Sequence, residues 1–194
     1  AVTATTITVN VGAIPIDEYL DIATSSNFGF GTGEFTVECY IKTTTIAAGT
    51  KVICDFRSAV GDAAAQLVLN GNTIQYNRTN GGITINGTTT LLVDTWYHVA
   101  VSRTAGVVRL YLDGVQQGTD TADVTNYGTT RPLYIGSDYT GSNNFAGYID
   151  EFRVSNIGRY ATAFTPRNGM FQGDINTKLL LHFDESQGAT SVQD

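Results

Sequence analysis

The sequence predicts an all-β protein in which two antiparallel sheets pack face to face. Apolar and polar residues alternate in short runs along most of the 194 residues, and this period of two is the pattern of a half-buried strand. Glycine, asparagine and aspartate recur between the runs, where tight turns need them. The sequence contains no long amphipathic helical pattern. Strands of this length and spacing are typical of a β-sandwich.

The clearest predicted element is a hairpin at 95–118, with the sequence TWYHVAVSRTAGVVRLYLDGVQQG. Its two strands flank a break at 104–106, and Asp113-Gly114 closes a second turn because both residues tolerate the positive φ angles of a type I′ turn. Every second residue of both strands is apolar and falls on one face. These residues are Tyr97, Val99, Val101, Val108, Leu110 and Leu112.

The other strands are predicted by the same alternation. The uncharged, threonine-rich run at 1–11 is predicted as an edge strand or as an arm that pairs with another chain. Further strands are predicted at 19–22, 35–42, 51–57, 66–69, 73–77, 83–86, 90–93, 132–136, 147–155 and 178–184. The residues predicted to form the core are Val99, Val101, Leu110, Leu112, Leu133, Ile135, Ile149 and Phe152.

Charge and composition exclude several classes of function. The net charge is −7, and nucleic-acid binding needs clustered lysine and arginine, so no nucleic-acid partner is expected. No apolar run is long enough to span a bilayer, so no membrane insertion is expected. No signal segment opens the sequence, which indicates a processed secreted protein or one exported within a virus particle. Cys39 and Cys54 both fall on predicted core faces. They are either two buried free thiols or, if their strands are neighbours, a disulfide.

Six segments together resemble the laminin-G-like, concanavalin A-like jelly-roll domains. They are FGFGTGEFTVECYIK (28–42), TWYHVAVSR (95–103), VRLYLDG (108–114), LYIGS (133–137), FAGYIDEFRVSN (145–156) and RYATAFTP (159–166). The resemblance covers 19–184 and is closest to modules of bacteriophage tail and virion proteins and of bacterial surface proteins. It implies a jelly roll that binds carbohydrate or protein, often with calcium, and some relatives cleave glycans.

One strand departs from the pattern of these domains. The strand that often begins such modules, LLLHFD, stands here at 179–184, near the end of the sequence. It either fills the usual first-strand position from the other end, as in a circular permutation, or begins a further module.

The resemblance points to a calcium ion near 147–155, and calcium is the one cofactor that we expect. Apolar residues of this strand keep a common face only if a bulge occurs at Asp150-Glu151. The bulge would free the Asp150 carboxylate to join the six to eight oxygen ligands that calcium takes, with Asp21 and Asp184 as further candidates. In the alternative, Asp150 accepts hydrogen bonds from backbone amides at the bulge and Glu151 pairs with a cation.

Candidate sugar-binding residues lie on the predicted outer faces of the strands. Aromatic rings stack on the C–H faces of sugars, and arginine and histidine supply directional donors. In the alternative, these side chains only stabilise an exposed sheet by cross-strand pairing, or a sugar binds at the loops 61–65 and 138–144. The candidates are Tyr40, His98, Arg109, Tyr111 and Tyr134.

The sequence does not favour catalysis. Glucanases that resemble this fold carry an E-x-D-x-x-E strand that points carboxylates at one sugar, and this sequence has no such pattern. Asp150 and Glu151 are adjacent, so in a regular strand they would point to opposite faces. We therefore expect a binding protein rather than an enzyme.

These observations predict an N-terminal strand or arm at 1–16 and one jelly-roll domain at 17–194. We interpret the protein as a non-catalytic structural or assembly module on a virus particle or cell surface, such as a component of a virion decoration, tail or filament. Its expected partners are other virion or surface proteins and further copies of itself in a homo-oligomer. The alternative is a lectin-like adhesin domain that recognises host glycans.

Overall fold

A computed structural model describes residues 8–10, 19–46, 48–80 and 82–183, with the backbone alone for residues 8–10. The strands are β1 (Thr8–Asn10), β2 (Tyr19–Ser25), β3 (Phe35–Thr43), β4 (Thr50–Asp55), β5 (Ala65–Asn70), β6 (Thr73–Arg78), β7 (Thr84–Asn86), β8 (Tyr97–Thr104), β9 (Val107–Leu112), β10 (Val115–Ala122), β11 (Arg131–Ile135), β12 (Gly147–Ser155) and β13 (Thr177–Leu181). A single 3₁₀ turn, Ser26–Phe28, is the one helical element of these residues. No helix in them is long or apolar enough to cross a bilayer.

The strands form two sheets, so the predicted all-β jelly-roll sandwich is confirmed. The larger sheet has seven strands in the order β1-β2-β11-β4-β5-β6-β7, and the smaller has six in the order β10-β9-β8-β3-β12-β13. Neighbouring strands in both sheets are antiparallel. Strands distant in sequence lie side by side, as β3 does between β8 and β12, and this arrangement positions the candidate site.

The predicted hairpin is present, with its turns where the sequence places them. Ala105 and Gly106 join β8 to β9 with φ angles of 49° and 73°. Asp113 and Gly114 join β9 to β10 with φ angles of 48° and 75°. Both turns therefore adopt the left-handed backbone that matches the twist of the flanking strands, with glycine at the second position of each turn and Ala105 and Asp113 at the first.

The core lies between the two sheets. Of the predicted core residues, all but Ile149 are buried. Ile149 is only partly buried because the first residues of β12 lie at the rim of the sandwich. Cys39 of β3 and Cys54 of β4 belong to different sheets and are both buried free thiols, so the disulfide alternative is wrong. Burial raises the pKa of both thiols.

Two strand predictions are wrong. Residues 90–93 form no strand, and β10 at 115–122 is missing from the prediction. The sequence VQQGTDTA shows no alternation because β10 is an edge strand whose side chains are mostly exposed. Its buried Gln117 accepts hydrogen bonds from the backbone amides of Thr88 and Thr89, at 3.0 and 3.1 Å, and so fixes the chain just before residues 90–93.

The two ends of the described chain both pair within this sandwich. β13 pairs with β12 at the edge of the six-stranded sheet, so the LLLHFD segment contributes to this sandwich. β1 pairs with β2, with Val9 opposite Leu20. The rest of the predicted arm, 1–7 and 11–16, lies outside the described residues. Pairing of the arm with another chain and the boundary at residue 16 stay predictions.

Candidate functional site

A segment without regular secondary structure, residues 157–172, crosses the outer face of the six-stranded sheet. We call it the strap. Its Arg159 amide donates to Thr36 Oγ1 at 2.8 Å, and its Phe164 amide donates to the Gly114 carbonyl at 3.0 Å. These bonds attach the strap to strand β3 and to the turn between β9 and β10, so most of this sheet face is covered.

An ion-pair network centred on Glu38 lies beneath the strap. Glu38 is fully buried, and its Oε1 accepts hydrogen bonds from Arg153 Nε and Nη2 at 2.9 and 2.7 Å. Its Oε2 accepts the Tyr160 hydroxyl at 2.7 Å and lies 3.1 Å from His98 Nε2. Burial alone would raise the pKa of Glu38, but the His98 hydrogen bond and the Arg153 charge outweigh burial and hold it below 4.5.

The strap removes two predicted sugar-binding residues from the surface. His98 and Tyr111 do point away from the core, as alternation predicts, but they are 1% and 0% exposed. Phe164 packs edge-on against both rings, at 5.6 and 5.3 Å between centroids. The prediction of an open face at these positions is therefore wrong, because a segment with no strand periodicity covers them.

Two other predicted residues lie apart from each other. Arg109 remains on the outer face of β9, where its Nε and Nη2 donate to the Asp120 carboxylate at 2.9 and 2.6 Å. Tyr134 belongs to β11 of the other sheet, opposite Asp21 and Asp55 in its neighbouring strands. The five predicted residues do not form one binding face, because alternation gives the side of a strand but not its sheet.

One part of the six-stranded sheet stays open, at the end where β12 begins. It holds a cleft of about 360 Å³. The strands β3 and β12, the turn before β8 and the far end of the strap supply its walls. The lining residues are Tyr40, Trp96, Asp150, Glu151, Gly169 and Met170. Of the predicted sites, Tyr40 and Asp150 are brought together here.

One exposed aromatic ring, that of Trp96, lines this cleft, and the exposed ring of Tyr148 lies beside Trp96. Trp96 and Tyr148 are 43% and 56% exposed, and their ring centroids are 6.5 Å apart. The Lys42 ammonium lies 5.2 Å from the Trp96 ring centroid and 4.5 Å from that of Tyr148, within the range of cation–π contacts. Lys42 and Tyr148 are direct partners across β3 and β12.

Trp96, Tyr148 and Lys42 are not among the residues that the sequence suggests for a binding site. Alternation with the inward Ile41 and Ile149 does place Lys42 and Tyr148 outward, so part of the signal was present. Their pairing depends on the register between β3 and β12, which are more than 100 residues apart. That register cannot be read from either strand alone.

The predicted bulge in β12 is present and brings two carboxylates to the cleft. The register with β3 shifts between Asp150 and Arg153, and Glu151 has a φ of 51°. Asp150 and Glu151 both line the cleft, since the strand is not regular here and the condition under which they would point to opposite faces is not met.

Both carboxylates of the bulge are held in place. Asp150 Oδ1 accepts the Glu151 amide at 2.8 Å, as in the alternative to metal binding. The Glu151 carboxylate accepts the Phe171 amide and lies 2.7 Å from His182 Nδ1. Glu151 thus attaches the end of the strap to β12. Its ion-pair partner is not Arg153, whose guanidinium binds Glu38.

The structure places two of the three predicted calcium ligands in different sheets. Asp150 lies in the six-stranded sheet and Asp21 in the seven-stranded one, where burial raises the Asp21 pKa. Asp184 lies outside the described residues. Within 8–10, 19–46, 48–80 and 82–183, no group of three or more histidine, cysteine, aspartate or glutamate side chains is arranged to hold a metal ion. Calcium binding stays a prediction.

The fold is shared with several solved structures. A protein from Bacteroides ovatus to which carbohydrate binding has been ascribed matches with a TM-score of 0.69 and 17% identity, over 96% of this chain and 54% of that one. Domain 4 of an extracellular arabinanase from Geobacillus stearothermophilus, in complex with arabinotriose, matches with 0.54 and 17%, over 80% and 77%. Domains LG4-5 of the mouse laminin α1 chain match with 0.52 and 17%, over 76% and 44%.

At these low identities, the superpositions show a common fold alone. This chain spans about half the length of the Bacteroides protein. By sequence, the chain matches none of the curated proteins with which it was compared. A model of the concanavalin A-like lectin/glucanases superfamily, of the laminin G type, matches residues 16–162. Because this match covers most of the chain, the protein belongs to the concanavalin A-like lectin/glucanase superfamily as a laminin-G-like domain.

Proposed function

We propose that the protein is a non-catalytic carbohydrate-binding module and that a glycan binds in the cleft beside Trp96. The observation that carries this proposal is an exposed tryptophan next to two fixed carboxylates in one cleft. The volume of about 360 Å³ falls within the ~300–1,000 Å³ of small-molecule sites.

The chemistry of the cleft matches that of a sugar ring. The flat C–H face of a pyranose packs on an aromatic ring, and Trp96 and Tyr148 present such rings to solvent. Sugar hydroxyls donate hydrogen bonds, and the carboxylates of Asp150 and Glu151 can accept them, since each oxygen keeps a second lone pair beside any bond that it already accepts. Because the bulge and the end of the strap hold these acceptors, little ordering is required when a ligand binds.

The same geometry supports a binding role rather than catalysis. Glycoside hydrolysis needs a carboxylic acid that donates a proton to the leaving group and a second carboxylate beside the sugar. The two oxygens of Glu151 are engaged by the Phe171 amide and by His182. The proposal also agrees with the two carbohydrate-related neighbours, the Bacteroides protein and the arabinotriose-bound domain. Glycans outside the cell, at a cell surface or on a host met by a virion, are the proposed partners.

A second candidate is an assembly module of a virion or cell surface. Exposed apolar side chains adjoin the cleft in sequence or space, and they favour a protein partner. Leu92 is 64% exposed, Val93 44% and Met170 56%. In this case Trp96 would pack against another virion protein, a surface protein or a second copy of this chain.

We expect substitution of Trp96 by alanine to weaken glycan binding at least about 30-fold, because a central aromatic contact contributes ~2 kcal/mol or more. A glycan array identifies ligands, and isothermal titration calorimetry then measures the affinity of each variant. Tyr134→Ala, on the other sheet, is the matched control and should bind as the wild type does.

Equal affinity of Trp96→Ala and the wild type would contradict the proposed site. Loss of binding in Tyr134→Ala alone would place the glycan on the other sheet. If no glycan binds and light scattering finds an oligomer that Trp96→Ala dissociates, the assembly role is the correct one.

A further inference from the structure

We infer that the cleft selects neutral saccharides over acidic ones, with Asp150 as the specificity-determining residue. This inference rests on the proposed function and names the class of ligand that the same cleft takes. It follows from the charge of the described residues that line the cleft, which include two carboxylates and no cation.

The charged side chains that line the cleft are both acidic. Asp150 and Glu151 are lining residues, whereas the other four carry no charge. An acidic sugar in the cleft would therefore bring its carboxylate or sulfate into a space lined by two carboxylates. Repulsion between like charges in a partly desolvated site disfavours such a ligand, while neutral hydroxyls gain acceptors there.

The cations near the cleft are not among its lining residues. Arg153 follows the bulge on β12, but its guanidinium binds Glu38 beneath the strap. The backbone carbonyl of Arg167 in the strap accepts the Tyr40 hydroxyl at 2.6 Å, and the Arg167 side chain is exposed and is not a lining residue of the cleft. His182 approaches Glu151 but is also not a lining residue. Among the described residues, the charged groups that line the cleft are therefore acidic alone.

Lys42 is a cation that lies against the Trp96 ring and could in principle attract an acidic sugar. Its ammonium lies over the Trp96 and Tyr148 rings and is not a lining group of the cleft. We assign it to holding the two rings together, since each cation–π contact is retained only while the ammonium stays over the ring faces. A ligand that needed Lys42 as its ion-pair partner would have to displace it from both rings.

The test uses sugars that differ in one group. Trimers of galactose, glucose and mannose are each compared with the corresponding uronic acid trimer, in which a carboxylate replaces the C6 alcohol. Affinities are measured by calorimetry for the wild type, Asp150→Asn, Lys42→Gln and Asp120→Asn. Asp120 is an exposed carboxylate on β10, so its variant changes the net charge by the same amount at a distant place.

We expect the wild type to bind a neutral trimer at least about tenfold more tightly than its acidic counterpart. Asp150→Asn should reduce that ratio to near one, and Asp120→Asn should leave it unchanged. Equal affinities in the wild type, or a ratio that Asp150→Asn does not alter, would overturn the inference.

A preference for the acidic trimers that Lys42→Gln removes would also overturn it and would make Lys42 the anion partner. The proposed function is tested separately by Trp96→Ala in the same series. If acidic trimers bind and Trp96→Ala weakens them, the function stands and only the inference fails. If Trp96→Ala binds every trimer as the wild type does, the proposed site itself is wrong.

Discussion

Replacing Glu38 by alanine should lower the free energy of unfolding by about 3–5 kcal/mol. The buried carboxylate accepts two hydrogen bonds from Arg153 and one from Tyr160, and it lies 3.1 Å from His98. Without it, Arg153 keeps a charge beneath the strap with no carboxylate to offset it, and removal of one member of a buried ion pair is costly for that reason. Urea denaturation measures the change.

The control is Asp120→Ala, which breaks an exposed ion pair with Arg109 and should leave the unfolding free energy almost unchanged. Because the pKa of folded Glu38 lies below 4.5, its ionised form stabilises the fold fully above pH 4.5. That contribution is lost as the pH falls through the lowered pKa, so the wild type should lose stability below pH 4.5 more steeply than Glu38→Gln. Parallel curves for the two proteins would show that Glu38 is not linked to acid unfolding.

Replacing Arg103 by methionine should destabilise the protein by a similar amount, about 3–5 kcal/mol. Arg103 is 1% exposed, and its guanidinium donates to the backbone carbonyls of Gly31, Gly33 and Thr125. It also lies 3.7 Å from the buried Asp123 carboxylate. Methionine fills the space but removes the donor to these carbonyls and leaves the buried Asp123 carboxylate with Arg78 as the one cation near it among the described residues.

Arg103→Lys should not rescue the loss, because a single ammonium cannot reproduce the planar fork of donors that reaches separate carbonyls. Thermal and urea unfolding of both variants test this account. If Arg103→Lys is as stable as the wild type, the buried charge is sufficient and the hydrogen-bond geometry is not the cause.

Local signals in the sequence predict much of the fold. The alternation of apolar and polar residues identifies the inward face of the hairpin, and Asp113-Gly114 identifies its turn. Both signals depend only on residues that are close together in the sequence. The bulge at Asp150-Glu151 is predictable for the same reason: three apolar residues lose their common face without it. β10 is not predicted, because an exposed edge strand needs no apolar face and so shows no alternation.

The site depends on contacts that are distant in sequence. Alternation places His98 outward correctly, but its burial is decided by a strap that lies some 60 residues further along the chain. Lys42 and Tyr148 meet only through the register of β3 with β12. Single strands carry no information on either contact, so the sequence suggests outward residues without showing which remain exposed or which form a cleft.

The fluorescence of Trp96 tests the central claim most directly, because Trp96 is the only tryptophan of the chain and it lines the cleft. The protein is titrated with neutral oligosaccharides while the tryptophan emission is recorded. A glycan that stacks on Trp96 should produce a saturable shift of the emission, with the same dissociation constant that calorimetry gives. Binding detected by calorimetry without any change in the Trp96 emission would contradict the assignment of this cleft as the glycan site.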